Sequence, residues 1–107
     1  MLHSLSSLFP FNIHIVKGHS MQPFLNEGDR VVVFRWAYVF SQPKKGDVVV
    51  FKHNDGKKYV KRIAAMANNN NGKKFFVAGD NEKDSKDSRN FGHINRKLII
   101  GKIVASY

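Results

Sequence analysis

Three segments of the chain carry side chains that could do chemistry. They are Gly18-His-Ser-Met-Gln-Pro23, Tyr59-Val-Lys-Arg62 and the acidic and hydroxyl-rich run from Gly79 to Arg89. A serine hydroxyl becomes an effective nucleophile when a base within hydrogen-bond reach takes its proton, and an uncharged lysine amine can be that base. Each segment alone has an ordinary explanation as a loop, a solvated strand or a turn. The chemistry therefore depends on the three segments meeting in the fold.

Three lysines in or beside the second segment are candidates for the base: Lys57, Lys58 and Lys61. A solvated lysine is protonated at pH 7, so a basic lysine must be buried and its pKa held well below the usual range. On a strand, Tyr59, Lys61 and Ile63 would share one face, which apolar neighbours could keep dry. The residues alone do not choose among the three lysines.

The composition excludes several other chemistries. The chain has no Cys, which rules out disulfides, zinc–thiolate sites and thiol catalysis. Five His are present, and no two have the i, i+3 or i+4 spacing of a helical metal site. We therefore expect neither a metal nor a cofactor.

The chain is short and strongly basic. It has 107 residues, with 18 Lys and Arg against 8 Asp and Glu, which gives a formal net charge of +10. This length predicts one domain. A basic surface suits nucleic acid, an anionic membrane or an acidic substrate. The longest apolar stretch, Val31 to Phe40, contains Arg35 and is shorter than the roughly 18 residues that cross a bilayer.

Short apolar runs separated by turn residues predict an all-β fold with few or no helices. Strands are predicted at Ile13–Val16, Arg30–Phe34, Val48–Lys52, Lys57–Ala65, Lys74–Ala78 and Leu98–Ala105. Asn54-Asp55-Gly56 is a hairpin signal, since Asp-Gly tolerates a tight turn. The tracts 68–72 and 79–91 are predicted to be loops, and 36–40 to continue the second strand or begin a short helix. Seven or so strands favour a small coiled sheet or a partly open barrel.

The N-terminal segment, residues 1–15, is expected to stand apart from the rest of the chain. It is rich in apolar residues, but it lacks a basic start and is interrupted by Pro10 and Asn12. These features make it a poor signal peptide. We expect it to cap the fold or to lie on a membrane surface, with residues 16–107 as the catalytic domain.

Together, the segments resemble the type I signal peptidase family of serine endopeptidases, which use a Ser–Lys dyad. The resemblance runs from about Val16 to Val104 and follows the family order: Ser-Met-x-Pro at 20–23, Gly-Asp-x-Val at 28–31, Lys-x-Gly-Asp-x-Val-Val at 44–50, Lys-Arg at 61–62, Gly-Asp-Asn at 79–81 and Ser-x-Asp-Ser-Arg at 85–89. In its brevity the chain is most similar to compact members, such as mitochondrial inner-membrane processing peptidases and the proteases thought to mature nickel superoxide dismutase.

The resemblance implies a role for each matching residue. Ser20 would be the nucleophile and Lys61 the general base. Ser85 would hold the lysine amine, and an ion pair between Asp87 and Arg89 would fix its loop. Further support for the dyad or its loop would come from Arg62, Asp80 and Asn81.

The oxyanion hole and the substrate pocket are where the sequence departs from some relatives. Gly18 replaces a hydroxyl donor, so the hole would rely on the backbone N–H of Ser20 and a second, unassigned donor. Phe24 stands where Thr is usual, beside the nucleophile. Candidates for the pocket wall are Gly18, Met21, Pro23 and Phe24.

The implied function is removal of a leader or signal peptide from a precursor protein, with small residues such as Ala before the cleaved bond. A soluble maturation protease for one metalloenzyme precursor is an alternative. A basic β-barrel that binds nucleic acid is an alternative from another class, although nucleic acid is not the expected partner. We expect peripheral association with an anionic membrane, with a cytoplasmic location as the alternative. No oligomeric state is predicted.

Overall fold

The computed structural model describes residues 9–69, 72–81 and 92–107. These residues form seven strands, which are β1 Phe11–Ile15, β2 Arg30–Phe34, β3 Val48–Lys52, β4 Lys58–Asn69, β5 Gly72–Ala78, β6 Ile94–Asn95 and β7 Ile99–Ser106. A short 3-10 turn, Arg96–Leu98, precedes β7. The described ranges contain no α-helix. The predicted all-β fold is therefore confirmed.

All seven strands belong to one antiparallel sheet with the order β1-β2-β7-β3-β4-β5-β6. The last strand, β7, returns to lie between β2 and β3, so the C-terminal strand holds the two halves together. The sheet stays open and does not close into a barrel, in keeping with the open architecture predicted.

Gly101 on β7 is needed because the backbone of β2 comes very close to it. A Cβ atom at this position would lie 2.7 Å from the Phe34 carbonyl oxygen and 2.7 Å from Val33 Cγ1. Carbon atoms normally approach no closer than about 3.5 Å. The glycine therefore allows the close β2–β7 contact at the centre of the sheet.

Two buried apolar clusters pack on opposite faces of the sheet. The first cluster contains Tyr38, Val49, Phe51, Ile63, Phe75, Val77, Ile94 and Ile99. The second cluster contains Val16, Met21, Leu25, Val31, Val33, Val48 and Val50. Successive side chains of a strand point to opposite faces, so β3 contributes to both clusters, which explains its unbroken apolar run. Met21 and Leu25 attach the Ser20 segment to the second cluster.

Several element boundaries differ from the predictions. The hairpin at Asn54-Asp55-Gly56 is confirmed, since the His53 amide donates to the Lys57 carbonyl at 3.0 Å. The loop prediction for residues 68–72 is wrong at Asn68, Asn69 and Gly72. These residues belong to the β4–β5 ladder. The apolar pairs of that ladder, such as Ile63 with Val77, set a register that continues through the polar residues.

Residues 36–40 form turns, neither a continuation of β2 nor a helix. The Ala37 amide donates to the Phe34 carbonyl and the Val39 amide to the Trp36 carbonyl, which bends the chain away from the sheet. This bend buries Tyr38 in the first cluster. The two-residue strand β6 was not predicted, because it is too short for an alternating pattern.

Candidate active site

Ser20 lies on a tight turn that follows β1. The Gln22 amide donates to the His19 carbonyl at 3.2 Å, and the Leu25 amide donates to the Met21 carbonyl at 2.9 Å. Met21 is 2% exposed and Leu25 is 1% exposed. Ser20 itself is partly exposed, so its hydroxyl is accessible from solvent. The turn that carries it is held in place by the two buried side chains.

Lys61 is the one buried charged residue among those that the structure describes. It lies on β4 opposite Val49 of β3, and its exposure is 3%. Lys57 and Lys58, the two alternatives left open by the sequence, are exposed. Burial of an amine is costly unless it is hydrogen-bonded, and no buried side-chain nitrogen or oxygen in the described ranges lacks a partner. Burial therefore distinguishes Lys61 from Lys57 and Lys58 as the candidate base.

Ser20 and Lys61 line the same cleft, whose volume is about 330 Å³. One wall is the end of β1 with the residues that follow it, and the other is the start of β4. The remaining lining residues are His14, Ile15, Val16, Lys17, Met21, Val50, Lys58, Tyr59 and Val60. The fold thus brings two of the three chemistry-bearing segments together.

The third segment is tied to the Ser20 turn through Asn81. The Asn81 backbone amide donates to the Ser20 carbonyl at 2.8 Å, and its side-chain Nδ2 donates to the His19 carbonyl at 3.0 Å. Asn81 therefore fixes the backbone on both sides of the Ser20 amide.

Arg62 joins β4 to the third segment. Its Nε donates to Asp80 Oδ1 at 2.9 Å and its Nη2 donates to Asp80 Oδ2 at 2.8 Å. Its Nη1 donates to the Gly46 carbonyl at 2.9 Å, and the guanidinium lies 4.8 Å from the centre of the Phe24 ring. The hydrogen bond to Asp80 raises the pKa of the Arg62 guanidinium. A bidentate Arg–carboxylate pair combines strength with directional specificity.

The other predicted residues fall in three places. Met21 is part of the cleft wall, whereas Gly18, Pro23 and Phe24 are exposed and do not line it. The Gly18 amide donates to Glu27 Oε1 at 3.2 Å. Predicted residues Ser85, Asp87 and Arg89 lie outside the described residues.

Two basic residues of the cleft wall, His14 and Lys17, were not predicted, and Lys58, one of the three candidate bases, also lies in this wall. Burial, and then the nearby Lys58 charge, lower the pKa of His14. Their place in the cleft follows from the approach of β1 to β4, a contact between distant parts of the chain. No local sequence signal could have found it.

Beside the cleft, β1 turns apolar side chains to solvent. Phe11 is 52% exposed, Ile13 is 54% exposed and Ile15 is 61% exposed. They alternate with half-buried residues, so they share one face of this edge strand. In the described ranges, no helix has the length and apolar character needed to cross a membrane.

The sequence matches a known family over residues 1–70 and 68–107, and that family is described as signal peptidase, peptidase S26. The chain is 26% identical to Signal peptidase I of Bacillus caldolyticus over 147 residues, which is 94% of this chain and 81% of that protein. It is 29% identical to Signal peptidase IB of Staphylococcus aureus over 141 residues, which is 84% of this chain and 74% of that protein.

The first of these alignments spans 147 residues whereas this chain has 107, so the Bacillus protein has at least 40 residues without a counterpart here. The two matched ranges meet at residues 68–70, and the strand β4 ends at Asn69. The match otherwise covers the chain from end to end. The chain therefore belongs to the signal peptidase family, peptidase S26.

Proposed function

We propose that this protein is a serine endopeptidase that removes signal or leader peptides from precursor proteins, with Ser20 as nucleophile and Lys61 as general base. Its family membership supports a signal-peptide-removing peptidase. The observation that carries the dyad is that Lys61, buried among apolar residues, lines the same cleft as Ser20. Burial disfavours the charged form of an amine, and the neutral form is the one that accepts a proton.

In the proposed reaction, the Lys61 amine takes the proton of the Ser20 hydroxyl as its oxygen attacks the carbonyl carbon of the scissile bond. The Ser20 backbone N–H donates to the resulting oxyanion; one such donor typically contributes about 3 kcal/mol. Lys61 then passes the proton to the leaving amine, and the acyl chain remains on Ser20. Water activated by Lys61 releases it and restores the hydroxyl.

The cleft has backbone edges suited to an extended peptide. β1 is an edge strand, paired only with β2 among the described strands. The β5 ladder begins at Arg62, so among the described strands residues 58–61 of β4 pair with β3 alone. A peptide between these edges would gain main-chain hydrogen bonds, while the cleft walls would select its side chains.

The N-terminal segment supports a peripheral membrane location, with a cytoplasmic one as the alternative. The exposed face of Phe11, Ile13 and Ile15 would enter the lipid interface, and each basic residue close to an anionic surface adds about 1 kcal/mol of attraction. Vesicles containing phosphatidylserine should bind the protein, and Ile13→Ser with Ile15→Ser should weaken that binding. Equal binding by the double variant would contradict the assignment.

The direct test uses purified protein and two substrates. One is a secretory precursor with an Ala-x-Ala signal, and the other is a short-leader precursor of a soluble metalloenzyme. We expect Ser20→Ala and Lys61→Ala to abolish cleavage, while Lys57→Ala, a matched change of an exposed lysine, cleaves normally. Full activity of a folded Lys61→Ala protein would refute the dyad. Cleavage of the second substrate alone would identify a dedicated maturation protease.

A further inference from the structure

A second hollow, of about 210 Å³, shares no lining residue with the Ser20–Lys61 cleft in the described ranges. It lies among the end of β2, the turns that follow β2 and the strand β7. Its polar lining residues include Gln42, Lys44, Asp47 and Lys102, and Phe34 and Val104 give it an apolar side. We call it the Lys44 hollow. The proposed peptidase reaction does not use it.

The lining of the Lys44 hollow is positively charged. Asp47 Oδ2 accepts from the Tyr38 hydroxyl at 2.6 Å and from the Lys44 amide at 3.1 Å, and Asp47 Oδ1 lies 3.6 Å from Lys102 Nζ. The exposed Lys44 ammonium has no carboxylate within ion-pair distance among the described residues. Two lysines and one aspartate give the lining a net charge of +1, which matches one singly charged anion.

The hollow opens beside the exposed apolar face of β1. Phe34 pairs with Phe11 of β1 and with Lys102 of β7, and directly paired residues share one face of a sheet. The rings of Phe34 and Phe11 stack with their centres 5.0 Å apart. Ile13, two residues after Phe11, lies on the same face and is 54% exposed. The lysines of the hollow are therefore next to an exposed apolar surface.

The turn that borders the hollow also exposes apolar side chains. Ala37 and Tyr38 line the hollow, whereas the neighbouring Trp36, Val39 and Phe40 are 46%, 60% and 97% exposed. Tryptophan and other aromatic residues are favoured where the apolar interior of a membrane meets its polar interface. The hollow thus combines a net positive charge with exposed apolar surfaces on two sides.

We propose that the Lys44 hollow binds the phosphodiester headgroup of an anionic phospholipid. Lys44 and Lys102 would pair with the phosphate, and the Gln42 amide would donate a hydrogen bond to it. The acyl chains would lie against Phe34, Val104 and the exposed face of β1. The inference rests on the peripheral membrane location proposed above and adds a defined lipid site to it.

The combination of charge and apolar surface favours a lipid over other anions. A soluble phosphate ester would pair with the lysines but would leave the apolar surfaces in water. An apolar segment of a partner protein would cover those surfaces but would leave the charge of the hollow unpaired. A phospholipid of net charge −1 satisfies both, because its charged headgroup is joined directly to its apolar chains.

The test uses the full chain and the fluorescence of Trp36, which is the only tryptophan in the sequence. The probe is dihexanoylphosphatidylglycerol, kept below its critical micelle concentration, whose charge is that of its phosphodiester. We expect a saturable blue shift of the emission. Dihexanoylphosphatidylcholine, which has the same chains and no net charge, should bind about fivefold more weakly. Glycerophosphoglycerol, which has the same headgroup without chains, should bind at least about tenfold more weakly.

Two variants with the same change of charge locate the site. Lys44→Gln should raise the Kd for dihexanoylphosphatidylglycerol about fivefold, the size of effect expected for an exposed ion pair. Lys45→Gln removes the adjacent exposed lysine, which does not line the hollow, and should change Kd less than about twofold. Equal effects of the two variants would overturn the inference, as would the absence of a saturable shift. Equal affinities for the lipid and for glycerophosphoglycerol would also overturn it, and would indicate a soluble phosphate ester instead.

Failure of this inference can be distinguished from failure of the proposed function. Lys44→Gln should cleave a soluble Ala-x-Ala peptide as fast as the unmodified protein, because Lys44 does not line the Ser20–Lys61 cleft. Vesicles containing phosphatidylserine that bind a protein with no affinity for the single lipid would overturn the headgroup site and leave the membrane location standing. Absence of binding to both would overturn the membrane location as well.

Discussion

The Arg62–Asp80 pair should affect activity more strongly than stability when it is broken. Arg62 follows the proposed base on β4, and Asp80 precedes Asn81, which holds the Ser20 turn. The informative changes are Asp80→Asn and Arg62→Lys. The lysine keeps the positive charge but cannot make two parallel hydrogen bonds with a carboxylate, so it tests geometry separately from charge.

Breaking the Arg62–Asp80 pair should lower the free energy of unfolding only moderately. The two hydrogen bonds are 2.9 and 2.8 Å long, and the side chains of Arg62 and Asp80 are 33% and 22% exposed. Fully exposed pairs contribute up to about 1 kcal/mol, and hydrogen bonds to charged groups in drier sites about 1.5–3 kcal/mol. For this half-buried pair we expect a coupling free energy of about 1–2 kcal/mol. A typical domain of this size stays folded after such a loss.

The activity effect arises because Asp80 and Asn81 are adjacent. Loss of the pair frees the backbone at Asp80, and Asn81 then holds the Ser20 and His19 carbonyls less firmly. A displacement of about 1 Å at a reacting group can cost on the order of 100-fold in rate. We expect Asp80→Asn to lower kcat/KM by about 10- to 100-fold, and we expect Arg62→Lys to lower it in the same direction.

The assay combines urea unfolding of the two single variants and the double variant with cleavage kinetics of each. Tyr38→Phe serves as a stability-matched control, because Tyr38 belongs to the first cluster and does not line the cleft. A coupling free energy below about 0.3 kcal/mol would refute the energetic reasoning, since that is the level at which independent sites add. An activity loss in Asp80→Asn no larger than in Tyr38→Phe would refute the positioning role.

Three further predictions concern the rest of the fold. Gly101→Ala should lower the free energy of unfolding by about 1–3 kcal/mol, because its Cβ would meet the β2 backbone; urea unfolding checks this, and an unchanged value would contradict the close approach. Tyr38→Phe should cost about 1–2 kcal/mol in the same assay, because it removes the 2.6 Å hydrogen bond to Asp47, and a neutral result would contradict it. His14 has a folded-state pKa below its ordinary value of 6.5, so the unfolded chain binds more protons below that pH and stability falls with falling pH. The stability that the protein has over His14→Gln should therefore shrink between about pH 7.5 and pH 5.5, whereas a constant difference would contradict the shift.

Much of the sheet could be predicted from local sequence because its strands are valine-rich and end at strong turn signals. Arg30–Phe34 and Val48–Lys52 have the bounds predicted for them. The β4 strand extends beyond its predicted end because pairing with β5 continues through polar residues. The hydrogen bonds that extend a strand depend on the strand it pairs with. The local sequence of β4 does not identify that partner.

The candidate site, like the sheet, could be predicted from the sequence only in part. Ser20 and Lys61 are predicted from motif resemblance, whereas the difference in burial between Lys61 and Lys58 depends on the fold. Alternation alone puts Lys61 on the face of β4 that Tyr59 and Ile63 share, but it does not show that Lys61 is only 3% exposed there. His14 and Lys58 come together only because two strands distant in sequence approach each other, which no spacing rule can predict.

The β4–β5 hairpin has a consequence for how this fold accommodates different chain lengths. Its two strands extend past Ala65 and away from the cleft, and the two ranges of the family match meet at residues 68–70, at the outer end of β4. Extending a surface loop costs little, about 0.6 kcal/mol for each doubling of its length. Additional residues, as in the longer Bacillus relative, can therefore be accommodated between β4 and β5 while the cleft keeps its shape. The β4–β5 hairpin should therefore tolerate insertions, and a reporter or a recognition module placed there should leave the cleft intact.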